Sequence, residues 1–225
     1  MDHKKIHNRL PVAWEGIPFI IIGIGLTSIL LFLGWELLSI FLAVLTVLTI
    51  YFFRDPERVH VDPKNAILTP ADGKVLSIEK LHDGDNHFEG KAVKISIFMS
   101  ILNAHINRIP MRGNITHLSY HPGKFFSANR DKASLYNERN IVTLETDARQ
   151  KIVFVQIAGV IARRIACWVT KGDYVVTGQR FGLIRFGSRL ELYLPPDSTL
   201  TVKKGQKVRA GQTVIGYLGE SENEK

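Results

Sequence analysis

Cysteine is all but missing from this chain of 225 residues, in which Cys167 stands alone. No internal disulfide can form, a thiolate metal site is out of reach, and a reducing compartment fits better than an oxidising one. The neighbours of that thiol, Ile165, Ala166, Trp168 and Val169, make it an inert core residue. The eight histidines (3, 7, 60, 82, 87, 105, 117 and 121) never fall into a zinc-protease pattern. No metal is therefore expected. There is no Walker loop, no dinucleotide glycine motif and no Gly-x-Ser-x-Gly elbow. Beyond residue 58 no long stretch carries helical periodicity.

What is present is unevenly placed. Lys and Arg number 29 against 21 Asp and Glu, a net charge of +8. Such a surplus suits nucleic acid or an anionic membrane face. No nucleic-acid module or basic stripe accompanies it, so no nucleic-acid partner is expected. Residues 16–53 are almost wholly apolar, with Glu36 the single charge. A bilayer core takes about 20 apolar residues per helix, so the stretch has room for two. Gly34-Trp35-Glu36 reads as the turn between them. Residues 1–15 form a polar head with Lys4, Lys5 and Arg9, while Arg54 and Arg58 follow the apolar run. Positive charge at both outer ends predicts a membrane hairpin with both ends in the cytosol. A signal peptide fits less well, because the run is too long and no small-residue cleavage site follows. A hairpin dipping into one leaflet is the alternative.

From residue 59 onward the pattern is that of a β-rich domain. Strands are expected over 74–78, 93–98, 115–120, 141–146, 152–157, 163–169, 190–194 and 213–218, with one short helix within 127–137 and a frayed tail over 220–225. Lys171-Gly172-Asp173-Tyr174-Val175-Val176-Thr177-Gly178-Gln179 returns as Lys204-Gly205-Gln206-Lys207-Val208-Arg209-Ala210-Gly211-Gln212. The repeat predicts a pseudo-symmetric pair of hairpins, similar to the lipoyl/biotinyl-carrier sandwich. A carrier role is excluded, since Met1, Met99 and Met111 have no lysine beside them.

Four short stretches could carry chemistry. In Thr69-Pro70-Ala71-Asp72-Gly73 an aspartate sits in a turn, where it can also cap its own backbone. Leu102-Asn103-Ala104-His105-Ile106-Asn107-Arg108-Ile109-Pro110 is read as a loop past a strong strand. His105 could move a proton near neutrality and Arg108 could hold a phosphate or carboxylate. Tyr120-His121-Pro122-Gly123-Lys124-Phe125-Phe126 places His121 and Lys124 beside two rings that either pack inward or form a lip toward lipid. Arg163 and Arg164 are weaker guesses for a phosphate. Phe186-Gly187-Ser188, between an apolar run and an alternating one, is on its own a tight turn into a strand.

Taken in order, and with Asn137-Glu138-Arg139-Asn140, these motifs resemble phosphatidylserine decarboxylase in its short, membrane-anchored form, over nearly the whole chain. The resemblance implies a proenzyme that cuts itself between Gly187 and Ser188, giving a large chain 1–187 and a small chain 188–225 that stay together as a heterodimer. Ser188 attacks the preceding carbonyl, and elimination and hydrolysis leave a pyruvoyl group made from Ser188 as the cofactor. That ketone forms a Schiff base with the amine of phosphatidylserine and serves as the electron sink when carbon dioxide leaves, the job pyridoxal phosphate does elsewhere. Phosphatidylethanolamine is the product, made at the cytosolic face of the cell membrane. An ether-lipid substrate would offer the same headgroup, and a membrane-tethered adaptor without catalysis is the rival reading.

By the same resemblance Asp72 orients the base and His105 is the proton donor of decarboxylation. Longer relatives carry a second histidine three residues on, for self-cleavage. Here that position is Arg108, which cannot act as a base near neutral pH. Either His105 serves both steps, the reading preferred here, or His121 supplies the missing imidazole. Arg108 and Lys124 are the expected substrate-phosphate contacts, and a higher oligomer is left open.

Overall fold

The computed structural model describes residues 2, 6, 7, 10–58, 65–82, 87, 88, 90–124, 136–159, 164–185 and 187–219. Lys4, Lys5, Arg9, Phe125, Phe126, Arg163, the tail 220–225 and nearly all of the helix expected within 127–137 lie outside the described residues.

A 3-10 turn at Trp14–Gly16 leads into α1 (Ile17–Phe32), with Pro18 in the first turn, where no backbone donor is lost. Gly34, at φ +74°, turns the chain into α2 (Glu36–Phe52). The two helices pack closely where Gly23 faces Thr46, because a methyl group on Gly23 would run into the Thr46 hydroxyl. Thr46 and Ser39 are buried and return their hydroxyls to Leu42 O (2.8 Å) and Glu36 O (2.7 Å). Those polar atoms are thus satisfied within the helix, as an apolar surrounding demands. Ile21, Leu31, Leu37 and Val47 are among the many side chains that remain largely exposed on the hairpin. The helical run Trp14–Phe32 is long and apolar enough to cross a membrane, whereas α2 has 17 residues.

The rest of the chain is mainly β. Its main sheet is antiparallel, with eight strands in the order β13 (Lys207–Val208), β2 (Gly73–Leu81), β3 (Ala92–Met99), β11 (Ser188–Leu194), β7 (Lys151–Ile157), β6 (Arg139–Thr146), β5 (Gly113–His121) and β9 (Tyr174–Val175). Two three-stranded sheets complete it. One joins β1 (Ala66–Leu68), β14 (Val214–Tyr217) and β12 (Thr199–Leu200), and the other β4 (Ile106–Arg108), β10 (Arg180–Ile184) and β8 (Ile165–Cys167). The architecture is compatible with the expected carrier-like sandwich. Strand alternation gives the main sheet two different faces. Leu190, Leu192 and Leu194 join the large core with Ile95, Val142, Leu144 and Phe154. Tyr193 points the other way, into a smaller cluster with Ile141, Val153, Val155 and Ile157.

Two expectations change. Residues 106–108 form strand β4 rather than a loop, because Ile106 pairs with Leu183 and Asn107 with Gly182 in a strand the sequence did not announce. The run 163–169 contributes only the three residues of β8, after which Trp168 N–H turns to Phe181 O (2.8 Å).

The repeat is deeper than its two visible copies. Thr69-Pro70-Ala71-Asp72-Gly73 and Ile109-Pro110-Met111-Arg112-Gly113 are equivalent. Ile109 and Ile115 exchange backbone hydrogen bonds with the first copy (Gly178, Gln179, Gly172, Asp173), and Thr69 and Val75 do so with the second (Gly211, Thr213, Gly205, Gln206). In each turn the glycine, Gly73 or Gly113, lies against a strand carbonyl, Phe98 O or Glu145 O, too close for any side chain.

Residues 54–58 strap the hairpin to this body. Arg54 bridges Val12, and Asp55 N–H donates to Pro11 O at 2.8 Å. The Asp55 carboxylate is buried and accepts from Arg180 Nε at 2.8 Å, with Arg108 Nη2 3.8 Å away. Removing one member of a buried ion cluster strands the others. Asp55→Ala is expected to cost about 3–5 kcal/mol, measured by denaturant unfolding in detergent, since the exposed Glu57 at 3.2 Å from Arg180 compensates little.

Candidate active site

Ser188 opens β11 opposite Met99 and is fully buried. Its hydroxyl has one partner among the described residues, the Met99 thioether at 3.9 Å, a weak acceptor that leaves the oxygen chemically free. Gly187 just before it sits at φ +61°, with nothing within 4 Å of where a Cβ would be. Backbone conformation, not crowding, is what asks for glycine there.

Met99 is held by a chain of buried amides. Asn107 Nδ2 donates to Met99 Sδ (3.6 Å), Gln156 Nε2 to Asn107 Oδ1 (2.8 Å) and Asn140 Nδ2 to Gln156 Oε1 (3.0 Å). Asn140 belongs to a motif the sequence singled out; Gln156 was hidden in an ordinary strand.

His105 lies immediately before β4, two residues ahead of Asn107. It is fully buried, and its main-chain carbonyl accepts from Ile184 N–H at 3.4 Å. Nδ1 pairs with Asn103 O at 2.9 Å, while Nε2 is buried without a partner among the described residues. A carbonyl can only accept, so Nδ1 carries the proton and Nε2 the free lone pair. The ring packs on Phe52, the last residue of α2, with centroids 4.2 Å apart. Burial pushes the His105 pKa from 6.5 down to about 4, helped by the positive Arg54 and opposed by the Asn103 carbonyl and by Asp72.

Asp72 therefore reaches His105 through its charge rather than through a hydrogen bond. Its carboxylate is gripped by both Nη atoms of Arg58, with Nη2 to Oδ2 at 2.8 Å, and by Ala210 N–H at 2.8 Å. Arg58 also donates to Ala210 O at 2.7 Å. Reading the sequence missed Arg58, taking it only for a charge flanking the apolar run. The available signal was Arg54-Asp55-Pro56-Glu57-Arg58, four charged residues flanking a proline just after a helix.

Three expected site residues go elsewhere. Arg108 is buried, donating to Gly178 O (3.0 Å) and Pro56 O (2.9 Å) beside Asp55, and burial lowers its pKa to about 10. It bolts the strap to the repeat and has no free face for a phosphate. His121 pairs with Arg139 at the far end of β5, and its Nε2 meets Ser119 Oγ at 3.0 Å. Ser119 pairs with Ile141 of the smaller cluster, so His121 is on the opposite face of the main sheet from Ser188. It lines an open cavity of about 570 Å³ with His87, His117 and Lys151. Lys124 is exposed and forms an isolated bridge with Asn137.

Comparison with known proteins gives a consistent answer. The phosphatidylserine decarboxylase family matches residues 45–216. The chain is 48% identical over 210 residues to the phosphatidylserine decarboxylase proenzyme of Desulfotalea psychrophila, covering 93% of this chain and 98% of that one. It is 44% identical over 212 residues to that of Geotalea uraniireducens (94% and 99% covered) and 47% identical over 210 residues to that of Syntrophus aciditrophicus (91% and 96%).

The buried, neutral His105 has a measurable consequence. Unfolded, its imidazole takes up a proton below pH 6.5; folded, it does so only near 4. The unfolded chain therefore binds the extra proton in that window, so stability is full above pH 6.5 and falls by about 3 kcal/mol as the pH drops toward 4. Replacing His105 by Gln should flatten that part of the stability profile, read by denaturant unfolding between about pH 4 and 7.

Proposed function

The chain belongs to the phosphatidylserine decarboxylase family, and from that premise we propose that it cuts itself between Gly187 and Ser188 and uses the new end to decarboxylate phosphatidylserine in the membrane. The observation that carries this reading is a fully buried serine with a chemically free hydroxyl, placed after a left-handed glycine. A buried imidazole with a bare Nε2 is in the same core.

Self-cleavage then follows in balanced steps. His105 Nε2 takes the Ser188 hydroxyl proton while the oxygen attacks the Gly187 carbonyl carbon, and the Gly187–Ser188 amide becomes an ester. Loss of the Ser188 α-proton breaks the Cβ–O bond, and Gly187 departs as a carboxylate with that oxygen. Water then replaces the nitrogen, releasing ammonia and leaving a pyruvoyl end on the small chain. The Asp72 charge favours the imidazolium that forms transiently on His105, and Arg58 fixes where that charge sits.

The surroundings fit such a group: it would begin β11 inside a closed core, shielded from bulk water. When present it supplies a ketone that takes up the substrate amine and accepts the electron pair left as carbon dioxide departs. His105 Nε2, neutral at rest, takes up the proton that the substrate ammonium gives up and returns it to the substrate carbon. With Arg108 in a buried ion cluster, His105 serves both steps and His121 neither.

The two chains should remain together without a covalent link. β11 lies between β3 and β7 in the main sheet, while β13 pairs with β2 and β14 with β1, so the small chain is woven through the large one. The diacyl substrate stays in the bilayer, and the hairpin, with basic residues on both outer flanks, holds the site at its cytosolic surface. Ile101 and Leu102, exposed in the turn before His105, are tied to the end of α2 by Arg54 Nη2 donating to Leu102 O (2.8 Å).

Intact-mass measurement tests the proposal. Wild-type protein should give two chains, the smaller one beginning with a ketone that borohydride traps together with substrate. Ser188→Ala should give one chain of 25.4 kDa. His105→Ala should slow cleavage by about 100-fold or more, while His121→Ala cleaves normally. An active wild-type protein that is a single chain with an ordinary serine at 188 would falsify the mechanism.

A further inference from the structure

Arg58, Arg108 and Arg180 each answer a carboxylate, and Arg54 spends both Nη atoms on carbonyls. Arg185 does neither. It is half-buried, and among the described residues its Nε, shut away from water, has no acceptor and no carboxylate pairs with it. Its main-chain N–H donates to Arg164 O at 3.3 Å, which fixes the backbone but leaves the guanidinium unanswered. A partly buried cation with no anion is costly unless something outside the chain supplies one.

The position of Arg185 suggests what that is. The guanidinium lies 5.6 Å from the ring of Phe19, in the first turn of α1. Phe19 stacks on Phe53 (5.9 Å), Phe53 meets Phe52 edge-on (5.0 Å), and Phe52 covers His105 (4.2 Å). One string of rings thus connects the cation, the foot of the hairpin and the active histidine. Along the chain, Arg185 is three residues from Ser188, at most about 10 Å of backbone. Resting on the decarboxylase reading, we propose that Arg185 holds the phosphodiester of the substrate lipid while its amine reaches the end made from Ser188.

The chemistry selects the phosphate over the substrate's other anion. The carboxylate loses its charge as carbon dioxide forms, so a guanidinium bound to it would stabilise the ground state and slow the reaction. The phosphodiester keeps its charge throughout, so a grip on it aids binding equally before and during the chemical step. Its loss should raise KM and leave kcat nearly unchanged.

The test uses full-length protein in detergent, with rates normalised to measured pyruvoyl content. On monomeric short-chain phosphatidylserine, Arg185→Gln should raise KM about 10- to 100-fold with little change in kcat, and Arg185→Lys should fall between it and wild type. With the methyl phosphotriester of the same lipid, which has no charge on phosphorus, wild type and Arg185→Gln should become equal. Affinity for the short-chain lipid in the uncut Ser188→Ala protein should drop by a similar factor when Arg185→Gln is added, a readout independent of turnover. Equal losses on diester and triester, or a fall in kcat at constant KM, overturn the proposal. A defect confined to anionic vesicles and absent with monomeric lipid overturns it too, assigning Arg185 to the bilayer surface. A wild-type protein that forms its pyruvoyl end but does not decarboxylate phosphatidylserine overturns the decarboxylase reading itself, and this inference with it.

Discussion

A phenyl ring from the end of the apolar helix α2 lies on the imidazole of His105, and most of the site depends on that contact. Phe52 and its neighbours exclude water from the ring, and this burial is the first cause of its lowered pKa. A histidine so placed is neutral at physiological pH, with the free lone pair confined to Nε2. The residue that shields the imidazole also ends the apolar hairpin. Burial of His105 and seating of the hairpin on the β-rich body thus share one side chain.

The rest of the framework is a duplicated clasp of which one copy has been specialised. In one copy, Arg112 N–H donates to Thr177 Oγ1 at 3.0 Å and its side chain reaches outward to Asp147 (2.9 Å). In the other, the equivalent residue is Asp72, turned inward to Ala210 N–H and Arg58. The backbone geometry is common to both, down to a glycine lying against a strand carbonyl. What differs is the side chain at one turn position and the strap that comes from the hairpin to meet it. A fold needs such a turn for its own closure, and the Asp72–Arg58 pair occupies a position the turn had already made rigid.

Much of this was legible in the residues themselves. The apolar stretch, its Gly34 turn, eight of the strands and the Gly187-Ser188 junction follow from hydropathy, alternation and turn chemistry. His105 and Asp72 came from motif order; both are buried, and the Asp72 charge acts on the His105 ring. The missed elements were those whose signal is tertiary. Strand β4 is three residues long and paired with β10, a partner distant in sequence, so no local periodicity marks it. Arg108 and Arg58 look alike as isolated charges, and only burial shows which carboxylate each answers. His121 shares a short stretch with Lys124, yet strand alternation turns it to the opposite face of the sheet from Ser188. A one-residue change of parity carries it away from the chemistry.

Under the proposed cut between Gly187 and Ser188, folding must come before chemistry. The two residues would end in different chains, while His105, Met99, Asp72 and the hairpin would all lie on the large one. None of the arrangement around Ser188 exists until β11 has been inserted between β3 and β7, because Met99 meets Ser188 only in that register. Once inserted, the strand is held by two neighbours and the later strands are locked against β1 and β2. Breaking one peptide bond at the start of β11 would then release a short local constraint and little else. Such a cut would be tolerated because it falls at the entrance of a strand and not within one. The electrophile can thus be created inside a core already closed around it, which keeps a reactive ketone out of water from the moment it forms.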